Sequence, residues 1–125
     1  MATRVTAGRA LSASVVLVLL ADAAIGLFAP DKLAAALAET GYDAKLVAPI
    51  ALLALVGALI YAVPRTAMLG AILITAFCGG AIASHFRIGE VASPPQLVCL
   101  GIALAAWGGL YLRFAGVRAL LPTTR

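Results

Sequence analysis

Two residues that can exchange protons, Asp22 and His85, stand within or beside long apolar stretches of the sequence. A charged aspartate inside a bilayer costs roughly 2.5–3.5 kcal/mol on insertion scales, so such a residue faces other helices, is paired or is protonated. A neutral imidazole near a carboxylate accepts or donates a proton near neutral pH. Asp22 and His85 are therefore the first candidates for a ligand or proton site.

The positions of these two residues place them in the same half of a bilayer. Helical rise puts Asp22 on the order of 10 Å below the end of the first apolar stretch and His85 nearer the end of the third. We expect both side chains to point between helices, with Asp22 accepting a hydrogen bond from His85, Arg87 or a hydroxyl. In the alternative, Asp22 only pins neighbouring helices together. Arg87 is expected to anchor to lipid headgroups, with pairing to Asp22 or Glu90 as its alternative. The predicted ligand-binding set is Asp22, His85, Ser84, Arg87, Gln96 and Tyr42.

The two cysteines, Cys78 and Cys99, stand singly and without C-x-x-C spacing. Counted from the ends of their stretches, they differ in depth by about 9 Å, which is too far for a disulfide between upright helices. We expect them to be apolar fillers. His, Cys and acidic residues do not cluster at metal-ligand spacing, so we predict no metal site and no intrinsic cofactor. The glycine pair Gly79 and Gly80 is expected to be a helix-packing feature.

The elements that would position these residues follow from composition. The chain of 125 residues is 64% hydrophobic and 11% charged, whereas a soluble domain is roughly 45–50% apolar and about 25% charged. A chain of this length cannot cover a soluble surface with so few charges. Composition therefore excludes a soluble enzyme and a secreted disulfide scaffold. The net charge of +4 is thinly spread, so we predict no nucleic-acid partner and a surface that contacts membrane lipids.

Four stretches of about 20 residues are long enough to cross the hydrocarbon core as helices. Their apolar runs are continuous, which favours helices over a barrel. We predict an all-α integral membrane protein, a four-transmembrane-helix bundle that forms one transmembrane domain over residues 1–125. The predicted spans are 10–29, 46–63, 66–86 and 96–112.

The connections between the spans are also informative. Residues 31–40 place Leu33 and Leu37 on one helical face and Asp31 on another, which predicts a short amphipathic helix at the membrane interface between the first two spans. Only residues 63–65 join the second span to the third, so these two helices must be antiparallel neighbours.

Basic residues are distributed unequally between the two sides of the predicted bundle. Six lie on the side of the termini, namely Arg4, Arg9, Arg65, Arg113, Arg118 and Arg125, and three lie on the other side, namely Lys32, Lys45 and Arg87. The positive-inside rule then predicts that both termini are cytoplasmic. The preference for Ala and Arg suggests a bacterial inner membrane.

The third span and its surroundings carry a pattern that resembles the DoxX-like family of small bacterial membrane proteins. The pattern runs through YAVPRTAMLGAIL at 61–73, Thr75, GGAIASH at 79–85 and RIG at 87–89. Further residues that fit it are Asp22, Gly41, Tyr42, Pro49 and Ile50. The chain departs from the family at Ala54, where a glutamate is frequent, so a role carried by that carboxylate is in doubt here.

The resemblance implies a membrane-associated redox role, because family members have been linked to thiosulfate oxidation coupled to quinone and to thiol or oxidative-stress complexes. Two function classes fit these residues. The first is a redox-associated subunit that binds a small ligand, with quinone as the implied ligand. The second is a non-catalytic scaffold or assembly protein whose polar residues only pin helices. A transporter fits less well, since there is one buried acid and no broken helix in symmetric halves. With four spans, a homodimer or a larger membrane complex is expected.

Overall fold

The computed structural model describes residues 2–120, which form six α-helices joined by short turns. The helices are α1 (Ala2–Phe28), α2 (Pro30–Glu39), α3 (Val47–Ala62), α4 (Ala67–Arg87), α5 (Pro94–Arg113) and α6 (Ala115–Leu120). Single 3-10 turns over Ala44–Leu46 and Pro64–Thr66 lead into α3 and α4.

Helices α1, α3, α4 and α5 are long and apolar enough to cross a membrane. Their outer faces carry large apolar side chains such as Leu17 and Leu104, which are 66% and 65% exposed. Such surface is stable against lipid and costly against water. The protein is thus a multi-pass membrane protein. The predicted four-helix bundle, with a short helix between the first two spans, is confirmed.

The four long helices form a ring in the order α1, α3, α4, α5. Helix α1 packs on α3 and α5, and α4 packs on the same two helices, so α1 and α4 are diagonal to each other. The predicted pairing of α3 with α4 is confirmed. We call the end with the start of α1, the α3–α4 turn and α6 the termini end. The end with α2 and the α4–α5 loop is the α2 end.

Glycines let the helix backbones approach closely at the termini end. A Cβ on Gly8 of α1 would lie 2.6 Å from Cγ of Arg113 on α5, and a Cβ on Gly70 of α4 would clash with the backbone of Tyr61 on α3. A Cβ on Gly109 of α5 would lie 3.2 Å from the carbonyl oxygen of Gly8 on α1. Small residues at such positions stabilise membrane helices through van der Waals packing, which lipid does not oppose.

The prediction that Gly79 and Gly80 let helices pack closely is wrong for the helices within one bundle. A Cβ on either residue would meet nothing within 4 Å. Gly80 instead lines a cavity, together with Ala76 and Ser84, which lie one turn before and after it. Small side chains on this face of α4 leave the space toward the diagonal helix unfilled.

The hydroxyl of Tyr61 joins three helices in the core. Tyr61, on α3, is 1% exposed. Its hydroxyl donates to the carbonyl oxygen of Ala106 on α5 at 2.7 Å, and therefore accepts from the hydroxyl of Ser12 on α1 at 2.9 Å. This contact crosses the diagonal from α3 to α5 and closes the middle of the bundle at the termini end.

Helix α1 begins at Ala2, earlier than the predicted span start at residue 10. The apolar run predicts only the part of α1 that lies in the hydrocarbon. The helix itself also includes Arg4 and Arg9, whose charges belong outside the hydrocarbon. The basic tail contains α6, which the sequence did not predict and whose Val117 is buried against the core. The remaining helix bounds lie within two residues of the predicted ones.

Removal of the Tyr61 hydroxyl should lower the free energy of unfolding by about 1–2 kcal/mol, because Ser12 and the Ala106 carbonyl lose a buried partner. Thermal unfolding of Tyr61→Phe in detergent micelles measures this loss. The control is Tyr111→Phe, since Tyr111 is 38% exposed, and it should unfold like the wild type. Equal melting temperatures for Tyr61→Phe and the wild type would show that this hydroxyl does not hold the bundle.

Candidate functional site

A cavity of about 620 Å³ lies at the α2 end of the bundle. This volume is within the range of small-molecule pockets, roughly 300–1,000 Å³. Its walls are mostly apolar and include Leu33 and Leu37 of α2, Pro49 and Ile50 of α3, and Phe77 of α4. The apolar face of α2 therefore covers a cavity, in addition to any contact with the membrane surface.

Asp22 of α1 lines this cavity and is partly buried. We expected a hydrogen-bond donor within the bundle, with His85, Arg87 or a hydroxyl as candidates, and this expectation is wrong. No group in residues 2–120 donates a hydrogen bond to the Asp22 carboxyl oxygens or forms an ion pair with them. The carboxyl group faces a mostly apolar space without a protein partner.

Glu90 contacts His85 because α4 ends in a Schellman motif. Gly89 has φ +86°, a left-handed conformation that glycine adopts without strain. The chain then turns back, so that the backbone N–H of Glu90 donates to the carbonyl oxygen of His85 at 3.1 Å. This turn brings Oε2 of Glu90 to 2.5 Å from Nδ1 of His85.

The contact with Glu90 determines which nitrogen of His85 carries the hydrogen. The hydrogen bond from His85 holds the pKa of the Glu90 carboxyl below its usual range, so this group is an anion at neutral pH. A carboxylate only accepts hydrogen bonds, and Nδ1 must therefore be the donor. His85 also lines the cavity, and within residues 2–120 its Nε2 has no hydrogen-bond partner.

Tyr42 is fixed by a second Schellman motif, at the end of α2. Gly41 has φ +84°, and the backbone N–H of Tyr42 donates to the carbonyl oxygen of Leu37 at 3.0 Å. The Ser84 hydroxyl donates to the Gly80 carbonyl oxygen at 2.8 Å, so the Tyr42 hydroxyl donates to Oγ of Ser84 at 2.7 Å. Tyr42 and Ser84 line the cavity, with their hydrogens already committed to partners in the protein.

Arg87 binds the end of α2. Its Nη2 donates to the carbonyl oxygen of Thr40 at 2.9 Å, and its guanidinium lies over the ring of Tyr42, 5.7 Å from the ring centre. The predicted alternative, a pairing with Asp22 or Glu90, is wrong, because α2 supplies a carbonyl group and an aromatic face nearer to Arg87. The residue is otherwise exposed, as an anchor to lipid headgroups requires.

Gln96 lies outside the cavity and organises the loop between α4 and α5. It is 4% exposed. Its Oε1 accepts from the backbone N–H of Ser93 at 2.9 Å. Its Nε2 donates to the carbonyl oxygens of Ile82 and Glu90, each at 3.2 Å. Gln96 thus attaches α5 to α4 and fixes the backbone position of Glu90.

The predicted depth difference between Cys78 and Cys99 is wrong. The two thiols are neighbours across the α4–α5 interface; both are free, and Cys78 is buried. The hydrogen bond between Gln96 and Ile82 explains the error, because it places the start of α5 below the end of α4. Three residues further along α5, Cys99 is then level with the turn of α4 that carries Cys78.

The six predicted site residues therefore divide into two groups. Four of them line the cavity, namely Asp22, His85, Ser84 and Tyr42. Arg87 and Gln96 do not line it, and they donate hydrogen bonds to backbone carbonyl oxygens of neighbouring elements. Sequence analysis missed Glu90 and Thr40 as partners of these residues. The available signals were Gly41, which directly follows Thr40, and Gly89, which directly precedes Glu90, since a glycine after a helix often reverses the chain.

No group of three or more His, Cys, Asp or Glu within residues 2–120 could hold a metal ion. Ala54, at the position where the resemblance led us to consider a glutamate, is 2% exposed and packs inside the bundle. It does not line the cavity. Asp22 is therefore the carboxyl group of the described chain that faces this space.

A family profile described as the DoxX-like family matches residues 10–109. The match contains α2, every cavity residue and the greater part of each long helix. The chain belongs to the DoxX-like family. Comparison with curated proteins and with solved structures found no match. A more specific function of this DoxX-like protein must therefore be inferred from the geometry of the cavity.

The His85–Glu90 contact should make stability depend on pH in the acid range. The pKa of Glu90 is lowered in the folded protein, so the contact stabilises the fold at neutral pH and is lost as the pH falls through that lowered value. We expect Glu90→Gln to melt below the wild type at neutral pH, with the difference vanishing in acid. Melting temperatures measured across the pH range test this.

The matched control is Glu39→Gln, because Glu39 is an exposed glutamate at the same end of the bundle. It should melt like the wild type at every pH. A wild-type advantage over Glu90→Gln that persisted unchanged at low pH would contradict the assignment of the contact to an ionised Glu90.

Proposed function

We propose that the cavity at the α2 end binds a small amphipathic molecule, whose apolar body contacts the walls and whose polar groups meet Asp22 and His85. The observation that carries this proposal is the unpartnered carboxyl group of Asp22 in a mostly apolar cavity. Its burial has a free-energy cost that no hydrogen bond in the described protein offsets. A bound molecule that completes the hydrogen bonding of Asp22 would remove that cost.

A quinone-type molecule fits this arrangement. Asp22 is on α1 and His85 is on α4, and these helices are diagonal in the bundle. A ligand that contacts both needs polar atoms at two edges of an apolar ring, as a quinone or its reduced form has. Phe77 and Ile50, which also line the cavity, supply apolar surface for such a ring. We propose that the protein is the ligand-binding subunit of a redox-associated membrane complex in the bacterial inner membrane.

A scaffold function is the competing proposal, and one observation favours it. Tyr42, Ser84, Arg87 and Gln96 all make hydrogen bonds inside the protein, so most of the polar residues at this end hold helices together. Asp22 and Nε2 of His85 do not take part in that network. Substitution of Asp22 therefore separates the two functions, because it removes a ligand contact without breaking a protein contact.

Substitution of Asp22 should weaken ligand binding and leave the bundle intact. We expect Asp22→Leu to bind decylubiquinone or its reduced form at least about tenfold more weakly than the wild type, which is the loss of one hydrogen bond to the ligand. Asp22→Asn should lose less, since an amide still donates and accepts. Equilibrium binding of the radiolabelled ligands to the full chain in lipid nanodiscs measures the affinities.

The control for this experiment is Asp31→Asn, because Asp31 is an exposed acid on α2 that does not line the cavity. It should bind like the wild type. Protein abundance and melting temperature are measured for every variant. Unchanged affinity in Asp22→Leu, together with a loss of abundance, would favour the scaffold over the binding function.

We propose that both termini are cytoplasmic, which puts the α2 end and its cavity on the opposite side of the membrane. The excess of basic residues at the termini end supports this orientation. A reporter fused after Arg125 should behave as cytoplasmic, and one inserted in the exposed α4–α5 loop at Val91 should behave as periplasmic. The reverse pattern would move the cavity to the cytoplasmic side.

A further inference from the structure

We propose that Glu90 is a positioning residue that holds His85 with its Nδ1–H directed at the α4–α5 loop and its Nε2 presented to the cavity as a hydrogen-bond acceptor. Glu90 itself does not line the cavity. With Nε2 as an acceptor, the cavity should prefer ligands that donate a hydrogen bond. This preference rests on the proposed function.

Glu90 is held at three points, so its carboxylate does not depend on a loose loop. Its backbone N–H donates to the carbonyl oxygen of His85 at 3.1 Å, and its carbonyl oxygen accepts from Nε2 of Gln96 at 3.2 Å. Its carboxylate accepts from Nδ1 of His85 at 2.5 Å. Gly89 supplies the turn that makes these contacts compatible. The loop therefore places one anion against one ring nitrogen.

The chemistry of imidazole gives this contact its consequence. A neutral imidazole has one N–H, and the other nitrogen presents a lone pair. The N–H on Nε2 is otherwise the more stable form of a histidine side chain in water. A carboxylate on Nδ1 imposes the opposite form, because it must receive a hydrogen. Glu90 thus converts the cavity-facing nitrogen of His85 from a donor to an acceptor.

Other polar groups that line the cavity agree with this preference, since the Thr40 hydroxyl donates to the carbonyl oxygen of Leu37 within the protein. The Asp22 carboxyl group presents acceptor oxygens to the cavity in either protonation state. The Tyr42 and Ser84 hydroxyls donate within the protein. The cavity therefore presents acceptors on diagonal helices, and the ligand class that matches Nε2 of His85 is an aromatic diol, such as the reduced form of a quinone, rather than a dione.

Nitrogen NMR of the histidine ring tests the positioning directly and needs no ligand. The chain contains one histidine, so ¹⁵N-histidine labelling of the full chain in nanodiscs gives a single pair of ring signals. At a pH where the ring is neutral, we expect a protonated Nδ1 and an unprotonated Nε2 in the wild type. In Glu90→Ala the two signals should exchange character, and Glu90→Gln should give a mixture. Glu39→Gln, the exposed control, should match the wild type.

Binding of matched ligands tests the selection. We expect the wild type to bind reduced decylubiquinol about tenfold more tightly than its di-O-methyl ether, which cannot donate, and we expect Glu90→Ala to lose most of that preference. A purely structural role for Glu90 would lower stability and leave the ratio of the two affinities unchanged.

The two experiments also separate this proposal from the proposed function. An Nε2–H signal in the wild type, or ring signals that do not change in either Glu90 variant, would overturn the positioning role. A correct Nδ1–H signal with no binding of either ligand to the wild type would refute the proposed function and the selection, while the positioning role would stand.

Discussion

The hydroxyl of Tyr61 is the contact on which the shape of the bundle depends. It joins α3 to α1 and α5, at the level where Gly70 lets α4 approach the backbone of Tyr61. Four helices therefore meet closely at the termini end. Within residues 2–120, no side chain at the α2 end bridges diagonal helices by a hydrogen bond, and Ala76 and Gly80 of α4 are too small to fill the middle. The cavity is the consequence of a bundle whose diagonal helices are bridged by a hydrogen bond at the termini end and not at the α2 end of the described residues.

Polar residues at the α2 end serve two purposes, and their hydrogen bonds distinguish them. Arg87, Gln96 and Tyr42 donate to acceptors in the protein and attach α2, α4 and α5 to one another. Within residues 2–120, the Asp22 carboxyl group and Nε2 of His85 have no hydrogen-bond partner, although both residues line the cavity. The hydrocarbon core offers no water to isolated polar groups. The polar groups that lack hydrogen-bond partners are therefore the strongest local indication of where a ligand binds.

The helices could be predicted from the sequence because lipid demands long apolar runs with all backbone groups bonded inside each run. The antiparallel pair α3 and α4 followed from the three residues that join them. Contacts that depend on the geometry of a loop could not be predicted in this way. The α4–α5 loop lowers the start of α5, which brings Cys99 to Cys78, and it turns Glu90 back to His85. Counting helical rise along single helices predicts neither the contact between the cysteines nor the contact between Glu90 and His85. The hydrogen bond of Arg87 to the Thr40 carbonyl oxygen could not be predicted for the same reason, since Thr40 is the last residue before a glycine turn.

Helix α2 has a property that the long helices lack, for none of its residues is fully buried. The free-energy cost of displacing a helix from the bundle grows with the apolar surface that it must expose. Displacing α2 therefore costs far less free energy than displacing any long helix. A molecule can then enter or leave the cavity when the ten residues of α2 move locally, while the ring of four long helices stays assembled. The guanidinium of Arg87 holds the Thr40 carbonyl oxygen and lies over the Tyr42 ring, so these are contacts that such a fluctuation must break.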